Sequence, residues 1–544
     1  MTADWLSNGV QIKQYIFLKR KLFGNPLPKN KMSKPFLVIR ADADARIGAG
    51  HLMRCLALAE AWQSQGRQVA FVSRIESEVL CQRVESSGIN LIRINSSYPD
   101  PDDLNVTGKI LREIIQTRNA SERHWLVADG YQFDDEYYQA VRAAGYRLLV
   151  IDDLATLPYY HADALLNQNL STAQLSYSCE PETQKLLGIR YALLRPEFQR
   201  WRDYQRKTRD RGNRILVTLG GSDPDNVTLK VMHALQQIKL SVLEAKIIVG
   251  PANPKLKILR EAVRGSEDKI QILSNVSNML ELMAWADVAV SASGSTCWEL
   301  AFMGVPILVT VIADNQRPIA ESLCEKGIAV NLGTGNLLSS DIVAQTITDL
   351  MNSAERREEM TVRSRGVVDG EGADRVVMAL SGENLRLRRA RESDCGQIWE
   401  WANAPEIRAV SFSSNTIPWE SHVQWFRSKL TDPNCFYYIA VNFDDQPIGQ
   451  IRFDVKNKEA VISVSLAATA RGKGSGSKLI HKASEYLQKN IGVDLIHAWV
   501  KQENEPSLRA FTKAGYKMMA AESMQGQPAA HFILNRKKQI CQAI

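Results

Sequence analysis

Phe36-Leu37-Val38-Ile39, then Arg40-Ala41-Asp42-Ala43-Asp44, then Ile47-Gly48-Ala49-Gly50-His51-Leu52-Met53-Arg54, is the stretch whose reading decides the fold. Four consecutive apolar residues read as a strand buried on both faces. The glycines allow a sharp turn, and a helix follows through Gln63 with Leu52, Cys55, Leu56, Ala59 and Trp62 on one face. Strand, glycine turn and helix make the opening unit of a doubly wound α/β lobe. Val69–Ser73, Leu91–Ile94, Trp125–Asp129, Leu148–Asp152 and Leu165–Leu166 continue the alternation as further strands. It predicts a parallel sheet with helices on both faces.

A second set of strands follows the charged stretch Arg200–Arg214, at Ile215–Leu219, Ile247–Val249, Ile270–Leu273, Val288–Val290, Ile307–Val309 and Ala329–Leu332. Two such lobes in series place a ligand in the cleft between them. After the turn-rich Ala379-Leu380-Ser381-Gly382-Glu383-Asn384 the order changes. Strand Leu385–Arg388, helices through Trp425, and strands Phe436–Val441, Ile448–Asp454 and Val461–Leu466 predict an α+β sheet with antiparallel pairs. The expected layout is therefore a basic leader over 1–33, a first lobe over 34–200, a second over 201–377, a linker over 378–384 and a third domain over 385–544.

With 544 residues, 45% hydrophobic and 23% charged, the chain reads as globular and multidomain. Its net charge of +7 suits anionic small molecules as well as nucleic acid. The eight cysteines are scattered without a C-x-x-C pair, which indicates neither a zinc knuckle nor a disulfide framework and fits a reducing cytoplasm. No apolar run is long enough for a bilayer. Lys19-Arg20-Lys21 and the prolines and lysines after it read as a flexible extension, or as sequence upstream of a true start at Met32.

The chemistry concentrates at strand ends. His51 and Arg54, at i and i+3, are neighbours on a helix surface. A helix N-terminus disfavours imidazolium, leaving a neutral histidine able to take a proton from water. Asp42 and Asp44 lie just beyond the first strand, either assisting His51 or serving as turn and cap aspartates, and Asp129 is also at a strand terminus. Asp152-Asp153 reads as capping carboxylates rather than a metal site, and no metal is expected. In the second lobe, Leu219-Gly220-Gly221-Ser222-Asp223 and Ser291-Ala292-Ser293-Gly294-Ser295-Thr296-Cys297-Trp298-Glu299 each end a strand in a turn before a helix. Their amides and hydroxyls suit phosphate oxygens, while Glu299 either accepts ribose hydroxyls or stabilises its own helix.

Together Gly-x-Gly-His-x-x-Arg, Gly-Gly-Ser-Asp, Ser-x-Ser-Gly-Ser-Thr-x-x-Glu and Asp314-Asn315-Gln316 resemble the UDP-2,4-diacetamido-2,4,6-trideoxy-β-L-altropyranose hydrolases, over about Lys34–Val377. The resemblance implies a glycosyltransferase-B-like pair of Rossmann-like lobes that releases UDP from the sugar without a metal. By the same resemblance His51 is the base acting on water. Gly50, Arg54, Tyr131, Gly221, Ser222, Gly294, Ser295, Thr296, Glu299, Asn315 and Gln316 hold UDP or sugar.

In the third domain Arg471-Gly472-Lys473-Gly474-Ser475-Gly476 opens a helix after a strand, with Asn504-Glu505-Pro506-Ser507, Phe511 and Gly515-Tyr516 downstream. This pattern is similar to the GNAT acetyltransferases over about Leu385–Asn535. The resemblance implies acetyl-CoA as co-substrate, with Leu466 on the pantetheine arm, Arg471–Gly476 on the pyrophosphate, Asn504 near the thioester and Tyr516 returning a proton to the thiolate. Trp419, His422, Trp425 and Phe426 line a sugar pocket or pack a core. The neighbouring hydrolase points to a 4-amino UDP-sugar as acetyl acceptor. The expected enzyme is cytoplasmic, acts on small molecules, and binds no nucleic acid or membrane. A glycosyltransferase, a protein-amine acetyltransferase and a non-catalytic sugar-nucleotide binder are the competing readings.

Overall fold

A computed structural model describes residues 35–44, 47–116, 124–221, 223, 225–239, 243–250, 253–274, 276 and 278–536. The expected leader over 1–33 and Ser222 lie outside the described residues. The chain divides into two compact units, Met1–Leu380 and Ser381–Ile544.

The first unit holds two parallel sheets. In one, β1 (Leu37–Ala41), β2 (Val69–Ser73), β3 (Asn90–Arg93), β4 (Trp125–Asp129), β5 (Arg147–Ile151), β6 (Ala164–Asn167) and β7 (Gln184–Leu187) run in the order β3-β2-β1-β4-β5-β6-β7. In the other, β8 (Arg214–Thr218), β9 (Glu244–Val249), β10 (Ile270–Ser274), β11 (Val288–Ala292), β12 (Ile307–Val311) and β13 (Ala329–Thr334) run β10-β9-β8-β11-β12-β13. Every pairing in both is parallel. Strands buried on both faces need continuous apolar runs, and Leu37–Ile39, Leu126–Val127 and Leu148–Val150 are wholly buried. The strand at Gln184–Leu187 escapes sequence reading because its Gln-Lys-Leu-Leu has no apolar run or alternation.

In each sheet the chain winds outward one way, then the other, so the order reverses between β1 and β4 and between β8 and β11. Ligands of doubly wound sheets sit beyond the carboxyl ends of strands at such a reversal. The helix Gly372–Ser381 closes the unit by returning to the segment that joins the lobes. Arg375 donates to the Arg190 carbonyl (2.7 Å) and Gln199 to Asp374 (3.0 Å).

The second unit is one mixed sheet of β14 (Arg386–Arg389), β15 (Cys435–Val441), β16 (Pro447–Lys456), β17 (Glu459–Leu466), β18 (Leu495–Lys501), β19 (Lys517–Met524) and β20 (Gln527–Asn535), ordered β14-β15-β16-β17-β18-β20-β19. All pairs are antiparallel except β17 with β18. A parallel pair needs a crossover, and the helix Ser475–Asn490 supplies it. Leu479, Ile480, Ala483 and Leu487 of that helix pack on Ile451, Phe453, Ile496, Ala498 and Phe532. On the opposite face, Ile398 and Phe426 pack on Tyr437, Ile439 and Val441. No described helix is long and apolar enough to cross a membrane.

A Cβ at Gly372 would lie 2.2 Å from the Ala192 carbonyl oxygen, so the returning helix fits only with hydrogen at this position. Gly372→Ala is expected to destabilise the first unit by about 1–3 kcal/mol, as overpacking does, read as a lowered urea midpoint for that unit.

Candidate functional site

Asp129 ends β4, and its carboxylate is fully buried. Three side chains from the start of the helix Gly50–Ser64 converge on it. His51 Nδ1 lies 2.6 Å from Oδ1, Arg54 donates through Nε and Nη2 at 2.7 Å each, and Cys55 Sγ is 3.3 Å from Oδ2. Burial alone would raise the Asp129 carboxyl, but the Arg54 guanidinium and then His51 outweigh it and hold the group well below the usual carboxylate range. An ionised carboxylate only accepts, so His51 donates from Nδ1. In the neutral ring Nε2 then carries the lone pair, and it has no hydrogen-bond partner among the described residues. The arrangement is a base held in one tautomer by a buried acid.

Sequence reasoning leaves Asp129 as one strand-end aspartate among several and offers Asp42 and Asp44 as equal partners for His51. The structure engages both elsewhere. Asp42 is buried with Arg40 and also accepts from the Arg74 amide (2.8 Å) and Ser97 Oγ (2.8 Å). Asp44 accepts the Ile47 amide at 2.7 Å and so shapes the glycine loop. Arg54, expected on the ligand, is buried and donates to Asp129 and, at 2.8 Å, to Asp153; its task is to compensate those carboxylates. Asp153 also accepts from Asn169 Nδ2 at 2.7 Å. Asp152 accepts two loop amides at 2.7 Å and the Tyr160 hydroxyl at 2.8 Å, which is capping.

The second-lobe residues come to the same place. A Cβ placed on Gly221 would fall 3.3 Å from the Ala49 amide nitrogen, and one on Gly50 4.0 Å from Ser295 Oγ. The turns after β1, β8 and β11 therefore meet. Tyr131, 48% exposed, packs its ring edge-on to His51 at 5.1 Å, and its hydroxyl joins Asp153 (3.2 Å) to Asn315 Nδ2 of the second lobe (2.9 Å). Gln316 Oε1 accepts the Ile312 amide at 3.1 Å and so supports this loop. Gly294, Ser295 and Thr296 are partly exposed at the start of the helix Thr296–Phe302. Burial pushes the Glu299 carboxyl up against the pull of Arg195, whose Nη2 is 3.4 Å away. Arg195 carried no sequence signal. Asp223 caps the helix Val227–Gln237 through the Val227 and Thr228 amides (2.8 and 2.9 Å).

In the second unit, β17 and β18 pair only at Glu459↔Leu495, Ala460↔Ile496 and Val461↔His497, although both strands continue to Leu466 and Lys501. Beyond that point their facing edges form no ladder. Gly474, at φ 75°, stands before the helix Ser475–Asn490, in the left-handed region that glycine tolerates. Gly472, Lys473 and Gly474 are exposed, and Ser475 and Gly476 partly so. This open turn beside unladdered backbone suits a long ligand with a pyrophosphate.

Other expectations for this unit change. Arg471 donates through Nε to the Leu466 carbonyl (3.0 Å) and through Nη1 to Glu406 (2.8 Å), so it braces the turn and uses the Leu466 oxygen. Asn504 caps the helix Glu505–Lys513 through the Ser507 amide (3.2 Å). Tyr516 is 3% exposed, its hydroxyl 2.7 Å from Ser484 Oγ within the core, and burial pushes its proton well above the usual phenol range. His422 and Phe426 are core residues, Trp425 is partly buried beside them, and only Trp419 is exposed.

Residues 214–375 match the glycosyltransferase family 28 C-terminal domain, and residues 384–517 match the acetyltransferase (GNAT) domain. The chain is a glycosyltransferase-like α/β unit fused to a GNAT acetyltransferase domain. An uncharacterised Methanocaldococcus jannaschii protein is 22% identical over 503 residues, 88% of this chain and 96% of its own. The Helicobacter pylori protein named pseudaminic acid cytidylyltransferase and UDP-2,4-diacetamido-2,4,6-trideoxy-β-L-altropyranose hydrolase is 26% identical over 46% of this chain and 47% of its own. Acetyltransferase PseH of Campylobacter jejuni is 29% identical over 21% of this chain and 71% of its own. The solved structure of MurG from Acinetobacter baumannii aligns with 64% of this chain and 99% of its own at 17% identity, with a TM-score of 0.46.

Asp129→Asn leaves Arg54 without its main counter-charge in a buried place, an expected loss of about 3–5 kcal/mol at pH 7. Because the folded carboxyl is depressed, its stabilisation is complete above the unfolded value of about 4 and is lost as pH falls through the folded one. Urea unfolding of variant and parent is therefore expected to differ widely at pH 7, to begin to converge only below about pH 4, and to coincide only once pH has fallen through the depressed folded value.

Proposed function

We propose that the chain performs two consecutive steps on one nucleotide sugar. The C-terminal unit acetylates the 4-amino group of UDP-4-amino-4,6-dideoxy-N-acetyl-β-L-altrosamine with acetyl-CoA. The N-terminal unit hydrolyses the product to UDP and the free 2,4-diacetamido sugar. The observation that carries the reading is His51, fixed by Asp129 as a proton acceptor where the turns of both lobes meet. His51 takes a proton from water, the water oxygen bonds to the anomeric carbon, and the bond from that carbon to UDP breaks. Gly221, Gly294, Ser295 and Thr296 hold the diphosphate, Glu299 the ribose, and Tyr131 and Asn315 the sugar. In the C-terminal unit the turn Arg471–Gly476 and the free edges of β17 and β18 take acetyl-CoA.

Two relatives support joining these activities, one named for the hydrolase and one an acetyltransferase, each matching part of this single chain. The family 28 match favours a second reading, transfer of the sugar to an acceptor. An acceptor-free incubation separates the two: free sugar and UDP in equal amounts support hydrolysis, and an intact UDP-sugar supports transfer.

The test is incubation of the whole chain with the 4-amino UDP-sugar and acetyl-CoA, followed by NMR. His51→Ala is expected to lower UDP release by at least about 100-fold, the lower range for a lost general base, while the acetylated UDP-sugar accumulates. Gly474→Glu, which fills the turn and strains a positive φ, is expected to abolish acetyl-CoA binding by calorimetry and leave UDP release from the acetylated sugar unchanged.

A further inference from the structure

The second unit carries a titratable cluster that none of the roles above uses. Along β18, Ile496, Ala498 and Val500 face the helix Ser475–Asn490 in the core, so by alternation His497 and Trp499 lie on the other face of the sheet. His531 of β20 stands opposite Trp499 in register, and the two rings stack at 4.7 Å with 2° between their planes. His497 Nδ1 is 2.9 Å from His531 Nε2. His531 Nδ1 is 2.9 Å from Glu522 of β19, which also accepts from Trp499 Nε1 at 3.3 Å. Hydrogen bonds from Trp499 and His531 hold the Glu522 carboxyl below its ordinary value. At the far end His497 Nε2 is 3.5 Å from Glu459.

These contacts have a direction. The Glu522 carboxylate only accepts, so His531 donates from Nδ1, and in its neutral form Nε2 is left as an acceptor. His497 must then donate from Nδ1, which leaves the single unoccupied lone pair of the relay on His497 Nε2. That residue is also the last on β18 to pair with β17. A coenzyme whose pyrophosphate lies at Arg471–Gly476, on the helix side, reaches the histidine face through the gap that opens at this point. On that face the segment around Ala409 and Phe412 lies over the open end, accepting from Lys501 Nζ (3.4 Å) and Gln527 Nε2 (2.9 Å).

We propose that His497 is the general base of acetyl transfer, with His531 and Glu522 positioning it, and that the acceptor amine binds on this face of the sheet beside Trp499. The proposal rests on the acetyltransferase reading of this unit. The bound ammonium gives one proton to His497 Nε2, and the freed amine attacks the acetyl carbon. The C–N bond forms and the C–S bond breaks. The nitrogen's surplus proton goes to the departing thiolate, and His497 later releases its own to solvent. Glu459, 60% exposed, lies beside the protonated ring and stabilises it. The charged groups facing His497 are Glu459 on β17, His531 on β20 and Glu522 on β19. On β16 the nearest carboxylate, Asp454, is already held by Lys429 (2.7 Å) and Arg452 (3.0 Å).

Two measurements on the whole chain test this. Nitrogen-15 NMR of the imidazoles, which needs no turnover, is expected to show protonated Nδ1 and unprotonated Nε2 on both histidines at pH 8, with the His531 tautomer disturbed in Glu522→Gln. In kcat/KM against pH for the 4-amino UDP-sugar, or for a simple aliphatic amine, His497→Gln is expected to lower the rate at pH 7 by about 100-fold or more. It also moves the acidic limb upward, toward the amine's own ionisation, with the KM for acetyl-CoA unchanged. His531→Gln is expected to shift that limb by less. An unprotonated His497 Nδ1, or an unaltered limb in His497→Gln, overturns the relay. Acetylation of the simple amine but not the UDP-sugar, with the limb moving as stated, supports the relay and instead overturns the sugar assignment.

Discussion

One buried carboxylate organises the first unit. Asp129 is wholly inside the protein, and an ionised group there survives only with charged and hydrogen-bonded partners around it. Arg54 supplies the charge and His51 a further donor, beside the Cys55 thiol. The two come from one turn of one helix because residues three apart on a helix share a face. The same constraint holds His51 in a single tautomer, so that electrostatic compensation of the fold and preparation of a proton acceptor are one set of contacts.

The sheet topology decides where that group sits. Reversal of strand order between β1 and β4 leaves a crevice at their carboxyl ends, and the reversal between β8 and β11 does the same in the second lobe. Tyr131 and Asn315 bond across the lobes at this place. The C-terminal unit reaches a comparable opening by another route. Its one parallel pair stops after three positions and leaves backbone edges unladdered.

Much of the architecture is legible in the chain. Apolar runs alternating with helical patterns lead to two parallel sheets, and their replacement by closely spaced strands leads to an antiparallel-rich one. β7 escapes because Gln184-Lys185-Leu186-Leu187 carries no period. Among site residues, His51, Gly50, Ser295, Tyr131 and Asn315 are brought together at one place. Arg54, Gln316, Arg471, Asn504 and Tyr516 each bond to other groups of the chain, as countercharge, loop support, brace, cap and core hydroxyl. Residue type and spacing show which groups can do chemistry, but not which of their atoms are already occupied.

The order of elements, the glycine turns and the positions of His51 and Gly474 depend on local sequence, because turns, caps and periodicity act over a few residues. The choice of Asp129 over Asp42 as the partner of His51 depends on which strands lie side by side, 78 residues apart in the chain. The alignment of Glu459, His497, His531 and Glu522 depends likewise on the register of four strands. No local pattern encodes such a register; it is settled when the sheet buries one face of each strand, and the opposite residues are carried into contact with it.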